Sequence, residues 1–311
     1  MAKNLNKKID LSVVIVTYNS FDTIKKCLES LNKTILKNTF EVIVVDNNSK
    51  DDSAKLLSEL CQKYDFLTFI KNKKNDGFSK ANNIGIKRTQ QSRYVLFLNP
   101  DTVVYKNTVD GMIEFMDKTK DAGVSTCFME LLNGELDDSS HRGFPTPWNS
   151  FTYFSGLAKM FPKSKLFSGY NMTYLDLSST HEVDALAGSF MLVRRGVGEK
   201  LNWWDEDFFF YGEDIDFCFR IKELGYKVYF VPKFRALHHK GISSGIKKIS
   251  KDLSKATLET KLFVTNHRFM AMKIFYNKHY RKDMPFFVTW IIFLAIDIKK
   301  FLAETSLKNE G

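Results

Sequence analysis

Cysteine is scarce and scattered: the four residues, Cys27, Cys61, Cys127 and Cys218, form no CxxC pair. That spacing excludes a zinc ribbon or a disulfide framework and fits a reducing compartment. Proline and glycine are also few, 6 and 16 in 311 residues, which argues against a disordered or fibrous chain. The apolar run Pro285–Ile296 (PFFVTWIIFLAI) stops at Asp297, short of the roughly 17–25 residues a membrane-spanning helix needs. No apolar stretch precedes the first predicted strand, so no secretory signal is expected and the chain is placed in the cytoplasm. No strand is followed by GxGxxG, and GxxxxGK(S/T) is absent, which removes the phosphate loops of dinucleotide dehydrogenases and P-loop enzymes.

Acids are in the minority, 36 against 46 Lys and Arg, for a net charge of +10 that favours an anionic partner. Much of the excess lies late: from Lys233 to Lys282 there are thirteen Lys or Arg and only Asp252 and Glu259. Nucleic acid is a poor candidate partner, because carboxylates stand at successive strand ends where they would repel phosphates. An apolar fraction of 44% with 26% charged residues describes a globular chain. Its length allows one large core plus an appendage. We divide it into a catalytic domain, residues 1–245, and a basic helical tail, 246–311.

Short β-branched runs at Leu11–Thr17, Glu41–Val45, Phe66–Ile70 and Tyr94–Leu98 read as buried strands. Segments with helical spacing separate them, such as Ile24, Cys27, Leu28 and Leu31. The alternation predicts an α/β fold with a mainly parallel sheet flanked by helices. After Asp101 the pattern becomes irregular, with a hairpin signal at Asn133-Gly134 and an aromatic, loop-rich stretch from Asp138 to Glu182. Strand character returns at Ser189–Val193 and Lys227–Val231, and a helix begins near Glu213.

Ligands of open sheets bind beyond the carboxyl ends of the strands. Three exits there are polar: Thr17-Tyr18-Asn19-Ser20, Asp46-Asn47-Asn48-Ser49 and Asn99-Pro100-Asp101. The first two could hold a nucleoside, although the second also reads as a turn and helix cap. Asp101 could bind a divalent cation bridging two phosphates, or simply form a turn. Glu213-Asp214-Ile215-Asp216 follows a run of large rings, surroundings that raise carboxylate pKa values and suit a general base. The same acids complement a helix N-terminus, and Asp216 can pair with Arg220 four residues on. The reading gives Asp214 the base role and makes Asp216 and Arg220 scaffold. His238-His239 could complete a metal site or be an ordinary surface pair.

The ordered set TYNS, DNNS, NDGFSKANNIG, LNPDT, AGSFMLVRR, FFFYGEDIDFCFR and HHKGISS resembles family 2 glycosyltransferases of the GT-A fold, especially the bacterial rhamnosyltransferase-like branch, over residues 10–245. The resemblance implies an inverting hexosyltransferase that moves a sugar from a nucleotide-sugar donor to a saccharide acceptor, lipid-linked, in cell-surface polysaccharide synthesis. The first donor is dTDP-L-rhamnose and the second a UDP-hexose. Thr17, Tyr18, Asn19, Asp46, Asn75, Gly77 and Asn99 then fall on the donor nucleotide side. Asp101 matches the last aspartate of the family's metal motif, with Mg2+ or Mn2+ as cofactor. Many relatives read Asp-x-Asp there; the branch resembled often carries the NPD form found here. His238 matches the family's late histidine. Glu213-Asp214 matches its acid–aspartate pair, in which the aspartate deprotonates the acceptor. A sugar-nucleotide-binding protein without turnover is the alternative.

Lys247–Tyr280 reads as one long basic amphipathic helix, suited either to a membrane surface or to docking on the catalytic domain. Pro285–Ile296, flanked by Arg281-Lys282 and Lys299-Lys300, reads as an in-plane anchor that makes the protein peripheral on the inner face of the cell membrane, with a homodimer interface as its rival.

Overall fold

The computed structural model describes residues 9–239 and 257–309. Its first half alternates as the sequence predicts: β1 (Ile9–Thr17), α1 (Phe21–Thr34), β2 (Phe40–Asp46), α2 (Ser53–Lys63), β3 (Leu67–Lys71), α3 (Phe78–Ile86) and β4 (Ser92–Leu98). β1 pairs in parallel with β2 on one side and β4 on the other, and β2 with β3. The chain therefore winds outward from β1 in one direction, then returns across it to β4. That reversal opens a crevice beyond the carboxyl ends of β1 and β4, where Thr17 and Asn99–Asp101 emerge.

The stretch after Asp101, expected to be irregular, is largely regular: β5 (Thr102–Val104), α4 (Thr108–Lys118) and β6 (Ala122–Glu130). β6 reads AGVSTCFME, and its buried Ser125 and Thr126 hide the aliphatic signature by which the other strands are recognised. The turn at Asn133-Gly134 closes a short hairpin, with Leu131 donating to Glu135 O at 2.8 Å and a bridge between Glu130 and Leu136. The expected loop region carries two helices, α5 (Pro147–Ser155) and α6 (Leu157–Met160). It ends at β7 (His181–Val183), followed by β8 (Phe190–Arg194), α7 (Arg195–Lys200), α8 (Glu213–Glu223) and β9 (Lys227–His238).

The nine strands form one mixed sheet in the order β3-β2-β1-β4-β8-β6-β9-β5, with β7 also on β9. β9 runs seven residues beyond the expected Val231. Its neighbour β6 shifts register between Cys127 and Phe128, so Pro232 falls where no ladder hydrogen bond is required. The extra length lets β9 reach β5, with Thr102 opposite His238.

Alternation along β1 sends Leu11, Val13 and Ile15 into one core with Ile24, Leu28, Leu57 and Met112, and Val14 into another with Phe97, Trp204, Phe217 and Ile221. The second core also receives Ala271 and Phe275 from α9 (Leu258–His279). The expected helix over Lys247–Tyr280 thus begins at Leu258 as described, its first part lying outside the described residues. α9 is docked on the catalytic fold, through His279 Nε2 to Asp216 Oδ1 at 2.8 Å and Lys278 to Asp205 and Asp207. α10 (Phe286–Asn309) packs on α9 by one face, with Tyr276 Oη 2.9 Å from Thr289 Oγ1 and Lys273 Nζ 2.6 Å from Asp297 Oδ1. No helix among the described residues is long and apolar enough to cross a membrane.

Candidate active site

The polar strand exits are tied to one another. Asn47 N–H donates to Thr17 O at 2.8 Å, joining the β1 and β2 exits. Asp46, fully buried, accepts from Ser49 through both carboxylate oxygens, the backbone N–H contact being 3.2 Å, so this aspartate shapes the turn. Asn19, at φ 54°, takes Lys50 N–H on its side-chain oxygen at 2.7 Å. Tyr18 stands exposed, and the buried Thr17 hydroxyl has no hydrogen-bond partner.

Asn47, which the sequence reading left unassigned, is the hub. Its side chain donates to Asn75 Oδ1 at 2.9 Å and Gly77 O at 3.0 Å, and accepts from Asn72 Nδ2 and from Asp76 N–H at 3.1 Å. An asparagine can do this because it carries two donors and an acceptor on one planar group. The loop it holds meets the aromatic run before α8, since Phe78 N–H donates to Phe209 O at 2.7 Å.

Asp101 and His238, more than a hundred residues apart in the chain, are brought together by the β5–β9 pairing. His238 Nε2 lies 3.3 Å from Asp101 Oδ1, an ion-pair distance that misses hydrogen-bond geometry, so Oδ1 is buried without a donor. Burial opposes charge on Asp101, yet the facing imidazole holds its carboxyl below the usual range. His238 Nδ1 is 2.8 Å from Asp137 Oδ2, which itself is fully buried. A carboxylate only accepts, so this contact puts a ring proton on Nδ1 and turns Nε2 toward Asp101. Asp137 had no signal in sequence beyond its place before the loop region.

The third group sits at the start of α8. Gly212, at φ +83°, turns the chain into the helix, and Glu213, Asp214 and Asp216 fill its first turn. The neighbouring acids meet different surroundings. Glu213 is buried with Oε2 unpartnered; burial, then the adjacent Asp214, pushes its carboxyl up to about 8. Asp214 instead receives Arg142 Nη2 at 2.5 Å, and Arg142 also donates to Leu186 O at 3.3 Å. Arg142, missed in the sequence because nothing local marks it, therefore links Asp214 to the segment running into β8. Three residues on, Ser189 O accepts Asn99 N–H at 3.1 Å. Asp216 turns the other way: Arg220 Nε reaches it at 2.7 Å while the guanidinium also holds Leu201 O and Trp203 O.

Among the described residues no group of three or more His, Cys, Asp or Glu side chains is arranged to hold a metal ion. The buried, donorless Asp101 Oδ1 and the adjacent His238 Nε2 nonetheless offer an oxygen and a nitrogen that would suit a divalent cation.

A mixed sheet whose reversal point opens a polar crevice, with one carboxylate at a strand exit and another at a helix start beside it, defines a glycosyltransferase of the GT-A fold. Residues 12–199 match Glycosyl transferase family 2, and the chain belongs to that family. It is 33% identical over 236 residues to rhamnosyltransferase WbbL of Escherichia coli K12, covering 73% of this chain and 82% of that protein. It is 25% identical over 245 residues to the N-acetylglucosaminyl-diphospho-decaprenol L-rhamnosyltransferase of Mycobacterium tuberculosis, with 76% and 78% covered. Among solved structures, the mannosyltransferase PcManGT from Pyrobaculum calidifontis, in complex with GDP-Man and Mn2+, superposes with a TM-score of 0.57 at 13% identity, over 99% of this chain and 75% of that one. That likeness speaks to the fold alone.

Proposed function

We propose that this glycosyltransferase transfers L-rhamnose from dTDP-rhamnose, or failing that a hexose from a UDP-sugar, to a lipid-linked saccharide in cell-surface polysaccharide synthesis. The observation that supports the reaction is that both acids are tied to the Leu186–Ser189 segment, Asp214 through Arg142 and Asp101 through Asn99 two residues before it, with His238 beside Asp101. The rhamnosyl donor and lipid-linked acceptor are supported by the two named relatives.

In this reading the nucleoside lies against Thr17, Tyr18, Asn19 and Asp46, with the sugar diphosphate passing Asn75, Gly77 and Asn99. Asp101 and His238 would hold a divalent cation, Mg2+ or Mn2+, which would supply positive charge against the departing diphosphate. Asp214 takes the acceptor hydroxyl proton as that oxygen bonds to the anomeric carbon and the bond to diphosphate breaks, giving inversion in one displacement. Arg142 holds the Asp214 carboxylate in place, while buried Glu213 keeps a proton and so adds no second charge. The 1–245 unit performs the chemistry, and the tail, 246–311, rests on the membrane surface or on a second copy.

Asp214→Asn is expected to abolish transfer and leave donor binding intact, whereas Asp101→Ala weakens binding only when metal is present. Both are read by turnover together with a thermal-shift panel of dTDP-rhamnose, UDP-glucose and UDP-galactose, each with Mg2+, Mn2+ or chelator. A donor at 100 times its Kd stabilises the fold by roughly 2.7 kcal/mol. Full activity in Asp214→Asn removes the base assignment, and stabilisation by a UDP-hexose alone removes rhamnose.

A further inference from the structure

Residues 139–175 contain no Asp or Glu, in a chain that is more than a tenth acidic. The same stretch exposes Trp148, Phe151, Phe154, Met160, Phe161 and Leu166, from 41% to 70% of their surface, and three exposed lysines, Lys159, Lys163 and Lys165. Such side chains on a wandering loop would collapse inward. Here they are held out by a built platform. Thr146 caps α5 at Asn149 N–H, 3.0 Å away, and Trp148 Nε1 donates to Leu166 O at 2.8 Å. Ser168 Oγ lies 3.0 Å from both Ala158 O and Phe161 O. The polar atoms face inward and the apolar ones outward, the reverse of an ordinary surface.

We propose that this α5–α6 platform is a bilayer-docking surface that seats the acceptor side of the enzyme on anionic lipid. Three observations select that occupant. First, exposed cations and exposed apolar side chains share one stretch with no acid among them, the composition that an anionic headgroup layer attracts. Pressed against a second copy across a two-fold axis, the same lysines would face one another without a counter-charge. Second, the platform continues onto α10, because Lys299 Nζ sits 4.3 Å above the Phe154 ring. On α10, Thr289, Asp297 and Lys300 turn toward α9, while Trp290, Ile291, Leu294 and Ile298 form an exposed apolar face free of charge. Third, the platform begins a few residues after Arg142, which touches Asp214, and Gly143 N–H ties its start to Tyr170 O at 2.7 Å. A lipid-linked acceptor gathered at this surface enters beside the base. That last step rests on the function proposed above; the membrane contact does not.

The test uses the full chain without sugar nucleotide, sedimented with vesicles of phosphatidylglycerol or of phosphatidylcholine. Two variants alter exposed positions only: F151S/M160S/L166S and K159E/K163E/K165E. Each is expected to keep the parent's melting temperature and lose at least about tenfold in binding to phosphatidylglycerol vesicles, with the parent's binding weakening as salt rises. Parent-like binding by both variants overturns the proposal. So does a loss seen only on deleting the chain from Pro285, which would assign the contact to α10. Conversion of a dimer to a monomer with vesicle binding unchanged would make a second copy the occupant and overturn it too. With a water-soluble acceptor the variants should turn over like the parent, and with a bilayer-embedded acceptor they should be slower. Platform-dependent sedimentation by a chain that transfers no sugar to either acceptor would sink the transfer reading and leave the docking surface standing.

Discussion

Glu213 and Asp214 are consecutive on one helical turn, yet one carboxyl is buried without a partner and the other meets a guanidinium. The consequence for Glu213 can be read in solution. Its proton is held to about 8 in the folded chain and released around the ordinary 4.5 when unfolded. Through that window the folded state binds the extra proton, so stability is full below about 4.5 and declines as pH rises toward about 8. Glu213→Gln should flatten this decline, measured as urea midpoints across the window; an unchanged slope would mean that Glu213 is not its source. The aromatic run before the pair was legible in the sequence and led to the expectation of carboxyls held above their usual range; burial does this for Glu213. The guanidinium on Asp214 was not legible, because Arg142 lies some seventy residues earlier in the chain. Asp137 escaped for the same reason. A buried aspartate that orients a histidine looks, in sequence, like any other acid before a loop.

Among the elements, β1 to β4 and β8, rich in aliphatic β-branched residues, were read within a residue or two; β9 was cut short at Pro232, and β6 was lost because Ser, Thr and Cys replace such residues. α4 was missed although Val109, Met112, Ile113 and Met116 are spaced for one face; Gly111 interrupts the pattern, and its missing Cβ is what lets the Phe234 ring approach. The start of α3 makes a sharper demand. Gly77 has φ +82°, and a Cβ there would lie 2.6 Å from Phe209 O. Gly77→Ala is therefore expected to cost about 1–3 kcal/mol and to loosen the contact between the Gly77 loop and the run before α8. Denaturant unfolding with and without donor measures both effects; a loss of stability under about 0.5 kcal/mol would show that the loop yields easily.

At the scale of the molecule, the two C-terminal helices belong to it to different degrees. α9 buries Val264, Phe269, Ala271, Phe275 and Tyr276, whereas α10 buries no side chain fully. A chain ending at residue 284 should keep its stability to within about 1 kcal/mol. One ending at 256 should lose at least about 3 kcal/mol, since burying a single Phe is worth roughly 1.5–3 kcal/mol. Chemical denaturation of the two truncations compares them directly, and equal stabilities would show that the second core does not need α9. The placement of β9 has a further effect, on timing. This strand, the last to be made, inserts between β6 and β5 and delivers His238 to Asp101. While the ribosome is still making it, the amino-terminal parallel strands can already pair, but β5 has no neighbour and Asp101 lacks His238 beside it. At roughly 5–20 residues per second, the nascent chain spends several seconds as a half-sheet with an open edge. Until β9 arrives, such an edge is open to pairing with another chain.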